Sequence, residues 1–264
     1  MSASDEQRPT APARSEVVLT TFAALVAFAA NSILTRLALG ARTMDAATFV
    51  AVRITTGAIV LTALVRAQSG DWAALRGNNR RDLIAPVALF GYAALFSFAY
   101  VRIGAAVGAL LLFGTVQVTM IAWGIVSGER PNARVWVALA IAAAGMAVLV
   151  LPSAKRPDPA GAFLMVLAGC AWAVYSLVGK RAQQALASNA RSFVWAVPLA
   201  LLLSLATRSS AKVSPRGALL AIISGGVTSG LGYAVWYRAL RGLTATQAAI
   251  LQLSVPVIAA LWAP

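Results

Sequence analysis

Long apolar runs separated by short polar clusters organise this sequence, with neither the strict alternation of a strand nor the one-sided stripe of an amphipathic helix. About 20 apolar residues rising 1.5 Å each cross the hydrocarbon core of a bilayer. On that measure the pattern predicts nine spans, at residues 17–39, 46–65, 83–101, 104–127, 134–151, 161–179, 191–206, 217–237 and 243–264. Spanning strands would need polar and apolar residues to alternate, and these runs do not. The expected fold class is therefore an all-α polytopic membrane protein with about nine transmembrane helices. Two connections carry helix-breaking residues: Gly128-Glu129-Arg130-Pro131 after the fourth span, and the segment from Pro152 to Pro159 after the fifth. The second is the natural boundary between two halves.

Composition agrees with a lipid solvent. The 264 residues are 60% hydrophobic and 11% charged, with a mean hydropathy of +0.79. A formal charge of +14 would ordinarily raise nucleic-acid binding. Here the Lys and Arg sit mainly at span ends, where orientation and anionic head groups account for them, so the expected partners are the lipid bilayer and a small molecule, not nucleic acid. With the N-terminus inside, cytoplasmic segments hold thirteen Lys and Arg against eight outside, which favours a cytoplasmic N-terminus in an inner or plasma membrane. The polar residues 1–16 read as a cytoplasmic tail, and the run after them reads as an uncleaved first helix. The one cysteine, Cys170, permits no internal disulfide. A homodimer stays open.

Self-similarity is the most informative feature. Thr48-Phe49-Val50 corresponds to Ser192-Phe193-Val194, and the same displacement of 144 residues sets Asn31-Ser32-Ile33 on Tyr175-Ser176-Leu177 and Arg36 on Lys180. Further along, a displacement of 139 places Gly91 on Gly230, Arg102 on Arg241, Ala106 on Ala245 and Trp123 on Trp262. Repeats of five spans, an odd number, enter the bilayer from opposite sides, an arrangement that serves alternating access. Together with Gly128-Glu129-Arg130-Pro131, Tyr237-Arg238-Ala239-Leu240 ahead of Ala245 and Ala248, and Pro256, this organisation resembles the EamA branch of the drug/metabolite transporter superfamily. The resemblance implies ten helices in two inverted five-helix repeats, cytoplasmic termini, and export or exchange of small metabolites such as amino acids. The expected divisions are a tail at 1–16, a first repeat at 17–152, a linker at 153–160 and a second repeat at 161–264. Under the 139 displacement Pro264 matches Ile125, so a tenth helix is expected to be missing, either because the chain is a fragment or because it needs a partner.

The chemistry of single residues follows. All eight acids, Asp5, Glu6, Glu16, Asp45, Asp71, Asp82, Glu129 and Asp158, fall in tails, loops or span ends, and there is no histidine. That inventory argues against an enzyme, a metal site or a cofactor, and against proton coupling through an intramembrane carboxylate. Transport is expected to be facilitative or coupled by exchange. Arg53 is the one basic residue well inside a span, read equally as a group facing a substrate or as one reaching an interface. The polar and aromatic residues near mid-span, Asn31, Gln117, Trp172, Tyr175, Tyr233, Trp236 and Gln252, could line a central cavity or act as interhelical glue and interfacial belts. Pro256 and its symmetry mate region around Gly114 are candidates for helix breaks at equivalent depth, against a tolerated kink. The leading expectation is a small-metabolite permease, amino-acid-like or drug-like in substrate. The competing one is a non-transporting membrane protein.

Overall fold

A computed structural model describes residues 13–69, 83–103, 105–150, 158–182 and 184–262. Most of the N-terminal tail and the 153–160 linker, and with them Asp71, Asp82, Gly104 and Pro264, lie outside those residues. The described residues form helices joined by turns; one isolated antiparallel bridge, Met44 with Val213, is the only extended pairing among them. In chain order the helices are α1 Arg14–Thr35, α2 Ala46–Ser69, α3 Ile84–Tyr100, α4 Ala105–Val126, α5 Ala133–Val150, α6 Pro159–Lys180, α7 Ala185–Ala206, α8 Pro215–Ile223, α9 Gly232–Leu240, α10 Ala245–Gln252 and α11 Ser254–Trp262. A π-helical segment, Arg36–Gly40, prolongs α1, and another, Ser224–Leu231, joins α8 to α9 as one continuous rod.

Six of these rods are long and apolar enough to cross a bilayer: Arg14–Gly40, Ala46–Gln68, Val107–Val126, Pro159–Lys180, Ala185–Ala206 and Pro215–Leu240. Ile84–Tyr100, Ala133–Gly145 and Ala245–Ala259 are apolar but shorter. Large apolar side chains point outward at full exposure, Val126 at 82% and Leu261 at 79%, which only a lipid surround makes inexpensive. The chain is an all-α polytopic membrane protein. Helix starts use side-chain caps where the sequence offers them: Asp158 accepts from Gly161 N at 2.8 Å, Ser214 from Gly217 N at 3.1 Å, and Thr244 and Gln247 form a reciprocal box at the start of α10. The seventh helix begins at Ala185, six residues before the expected start at 191, because a helical turn containing Ser188 and Asn189 is invisible to hydropathy.

The expected breaks need one correction each. The ninth rod does turn, but at Leu253, three residues ahead of Pro256. The proline lacks the N–H that would bond Gln252 O, and its ring crowds that carbonyl, so the effect of the residue falls one turn upstream. Around Gly114 there is no break: α4 runs unbroken from Ala105 to Val126, and a methyl group at Gly114 would meet nothing within 4 Å. A single glycine costs a helix only about 1 kcal/mol relative to alanine and removes no backbone hydrogen bond, so it does not interrupt one held on both sides by its neighbours.

The bundle interleaves its two halves. Helix α3 packs on α6 and α7, α2 on α7, α8 and the Ser224–Leu231 segment, α4 on α6 and α10, and α1 on α9 and α11. Exchanging the first rods with their sequence mates exchanges these contacts: α3 with α6 becomes the eighth rod with α1, α4 with α6 becomes the ninth rod with α1, and α2 with α7 maps on itself. Among the described residues helix α5 packs mainly on α4, α10 and α11 and leaves Trp136, Val137 and Ile141 exposed.

Candidate functional site

Where α1, α3, α4, α6 and α9 converge, Phe28, Asn31, Ser32, Tyr92, Leu112, Phe113, Trp172 and Tyr233 line a small, partly open cavity with about 20 Å³ of internal space, room for roughly one water. Leu112 lies about 10 Å along α4 from its start, so the cavity occupies the half of the bundle away from the N-terminal end of α1. Its walls are an aromatic cluster. Trp172 lies 4.8 Å from the ring centres of both Tyr92 and Tyr233 and 5.2 Å edge-on from Phe28, and Phe28 also meets Tyr233 at 5.7 Å and Trp236 at 5.4 Å. Such tilted and edge-on contacts each add about 0.5–1.5 kcal/mol beyond area burial.

Polar groups hold this cluster from two sides. On the first, the Asn31 Oδ1 accepts from Ser224 Oγ at 2.7 Å, Thr228 Oγ1 at 3.2 Å and Ser229 Oγ at 3.4 Å. Ser229 Oγ in turn accepts from Arg53 Nε at 2.8 Å, and Arg53 Nη2 donates to Tyr233 Oη at 2.5 Å. The Arg53 guanidinium stands 5.6 Å above the Tyr92 ring and is 1% exposed. Burial at that level closes the alternative in which Arg53 reaches an interface. The approach that makes this possible is glycine-based: a Cβ at Gly225 would collide with Thr56 Oγ1 and the Arg53 carbonyl oxygen, so α2 and the Ser224–Leu231 segment touch backbone to backbone.

On the second side, Trp172 Nε1 donates to Gln252 Oε1 at 2.6 Å, while Gln252 Nε2 donates to Ala248 O at 3.1 Å. The turn at Leu253 has a local consequence here. Leu253 N bonds Ile250 O instead of Ala249 O, and the freed Ala249 carbonyl accepts from Gln117 Nε2. The proline of one rod thus creates the acceptor that the glutamine of its mate uses.

Of the residues singled out from the sequence, Asn31, Trp172 and Tyr233 line the cavity, Arg53 is bonded directly to its wall, and Gln252 anchors Trp172. Trp236 lies behind Phe28 with Nε1 donating to Ser176 Oγ at 3.2 Å. Tyr175 is buried beside Tyr233 and donates to Asn189, whose amide bonds Gly230 O at 3.0 Å, so it braces the site from behind. Gln117 is buried one turn from Phe113, Pro256 acts through the turn at Leu253, and Gly114 contributes no break. Sequence reasoning missed Phe28, Tyr92, Ser224, Thr228 and Ser229. The polar run Ser224–Gly230 inside an apolar span was a usable signal for the last three. Among the described residues, no three His, Cys, Asp or Glu converge as a metal site would require.

The end of the bundle nearest the α1 N-terminus is latched between helices. Gly128, at φ +91° in the left-handed region, turns the chain so that Glu129 accepts from Ala245 N at 2.6 Å, Thr246 N at 3.1 Å and Thr246 Oγ1 at 2.8 Å. Lys180 Nζ donates to Leu243 O, Arg238 pairs with Glu16 at 2.6 Å, and the Arg181 guanidinium lies 5.6 Å over Trp123. Burial pushes the Glu129 carboxyl up, but the hydrogen bonds from Ala245 and Thr246, with Lys180 nearby, outweigh it and hold the group below its ordinary value. At the opposite end the Met44–Val213 bridge is flanked by Asp45 N donating to Lys212 O at 3.0 Å, Ser214 N donating to Thr43 O at 2.9 Å and Asp45 accepting from Lys212 N at 3.0 Å, beside an exposed Arg102–Asp158 pair at 3.7 Å.

Comparison with known proteins decides the family. Residues 159–264 match the EamA-like transporter family. Over 92% of its length the chain is 45% identical to an uncharacterized protein of Pseudomonas aeruginosa, 84% of which it covers. The chain belongs to the EamA-like transporter family. As an EamA-like protein it is a multi-pass membrane transporter. Uncharacterized transporters of Bacillus subtilis and Archaeoglobus fulgidus are 28% and 27% identical to it, each over 67% of this chain, which spans 62% and 65% of their lengths. One solved crystal structure has the same fold, with a TM-score of 0.78 at 19% identity, covering 94% of this EamA-like chain and 88% of its own.

Proposed function

We propose that this transporter is a small-metabolite permease of the inner or plasma membrane, with its N-terminus cytoplasmic, exporting amino-acid-like or drug-like solutes by alternating access. The observation that carries the reading is the small aromatic and polar cavity built by rods of both halves, with Asn31, Tyr92, Trp172 and Tyr233 converging from helices far apart in sequence. A shared site between two halves is what rocking of inverted repeats exposes to one face and then the other. The interhelical latch at the Glu129 end, where Glu129 of the fourth connection holds Ala245 and Thr246 of the second half, fits one stage of such a cycle, closed at the cytoplasmic face.

The test is a reversible lock. In a Cys170→Ala background, Glu129→Cys with Thr246→Cys is reconstituted in liposomes, and flux of radiolabelled amino acids, other carboxylic acids and cationic dyes is measured before and after oxidation. Saturable flux of at least one solute, lost on crosslinking and regained on reduction, is the expected result. Flux that persists in the crosslinked protein would overturn rocking, and no flux of any solute would favour the non-transporting alternative.

A further inference from the structure

Arg53 is a full positive charge in the interior of the bundle, and nothing described around it is negative. Its partners are the hydroxyls of Ser229 and Tyr233 and the side chain of Tyr92, met at ring and hydroxyl, all neutral, while Nη1 makes no hydrogen bond of ordinary geometry. The described acids Glu16, Asp45, Glu129 and Asp158 all lie at the ends of the bundle. A guanidinium does not shed its proton to escape burial, and an uncompensated buried charge costs several kcal/mol. The two groups that hold it to the cavity, Tyr233 and Tyr92, are themselves cavity walls, and Ser229 is shared with a third wall residue, Asn31.

Resting on the permease reading, we propose that the transported solute is an organic anion whose carboxylate supplies the countercharge to Arg53. Nη1, buried against the cavity wall and not on its lining, is the charge-assisted donor that the carboxylate reaches once the Tyr92 and Tyr233 side of the wall rearranges; the low-dielectric aromatic walls magnify the attraction, and the rings of Phe28, Trp172 and Tyr233 take the apolar body. The same charge excludes cations, because a cationic solute would place two like charges in a space without carboxylates. The net charge of the solute is therefore the property the site reads.

Equilibrium binding tests this separately from transport. The full chain in nanodiscs is titrated with three probes of one shape: 3-phenylpropionate, 3-phenylpropionamide and 3-phenylpropylamine. The carboxylate should bind saturably, at least tenfold more tightly than the amide, with no binding of the amine. Arg53→Gln should abolish the difference between carboxylate and amide, whereas Arg53→Lys should keep the preference at lower affinity. Should Arg53→Gln fail to fold, Asn31→Asp places a carboxylate within reach of the same Ser229 hydroxyl and should weaken carboxylate binding tenfold or more. No carboxylate binding, equal binding of the amide, or an unchanged preference in Arg53→Gln or Asn31→Asp would overturn the proposal. Carboxylate binding that depends on Arg53 in a protein without flux would leave the anion site standing and defeat the permease reading. Flux of neutral solutes indifferent to Arg53 would do the reverse.

Discussion

Asn31 gathers three hydroxyls on one oxygen, and that economy makes it sensitive. Replacing it with alanine leaves Ser224 and Ser229 to find other acceptors in a buried space, while Thr228 keeps the Ser224 carbonyl, at a cost of about 1–2 kcal/mol, near the upper range for interhelical bonds in membranes. Asn31→Ala should lower the midpoint of thermal unfolding in detergent while Asn31→Asp keeps the acceptor. Glu129 offers a pH test. Its carboxyl is held below the ordinary value, so its stabilising effect is complete above about pH 4.5 and is lost as pH falls through the depressed value. The stability gap between the natural protein and Glu129→Gln should accordingly be constant near neutrality and close only in strong acid, as followed by midpoint against pH. At this scale, polar residues were legible in the sequence because each one inside an apolar run is costly and calls for a partner, as Asn31, Arg53, Gln117 and Gln252 do. Aromatic residues were not. Trp123, 43% exposed, and Trp172, 4% exposed, sit in equally apolar surroundings, and only the fold tells which faces the cavity.

Among the elements, the Ser224–Leu231 segment shows how composition sets geometry. Three glycines and three hydroxyl residues in eight positions weaken the ordinary helical ladder, and Thr228 bonds back to the Ser224 carbonyl at 3.1 Å. The wider turn brings Gly225 against the Arg53 backbone. Two glycines thus predict opposite outcomes. Gly225→Ala should force α2 from its neighbour and destabilise the protein by more than about 2 kcal/mol, with loss of cavity binding. Gly114→Ala, with open space around it, should be neutral or stabilising by up to about 1 kcal/mol. Parallel melts of the two variants check both. The span pattern read well because length and hydropathy are summed over many residues. The π-helical turn did not, since it depends on a contact with a helix about 170 residues earlier in the chain. Pro256 placed its break within one turn, while Gly114 carried no backbone defect for a reading by symmetry to find.

The molecule as a whole is held together by contacts between its halves more than within them: Arg53 with Ser229, Gln117 with Ala249, Glu129 with Thr246. The internal repeat in the sequence assigned each rod its mate, but it said nothing of which rods pack together or which end would be latched. Arg53 carries the farthest-reaching consequence. A carrier whose vacant site keeps an unbalanced unit charge moves that charge whenever it reorients without cargo, and membrane voltage then acts on the return stroke at about 2.3 kcal/mol per 100 mV for a charge crossing the full field. Loaded with a monoanion, the same stroke is electrically silent. Exchange of labelled for unlabelled anion should therefore run faster than net efflux and ignore an imposed potential, while net efflux slows or quickens with its sign; liposomes clamped with potassium and valinomycin would read the difference directly.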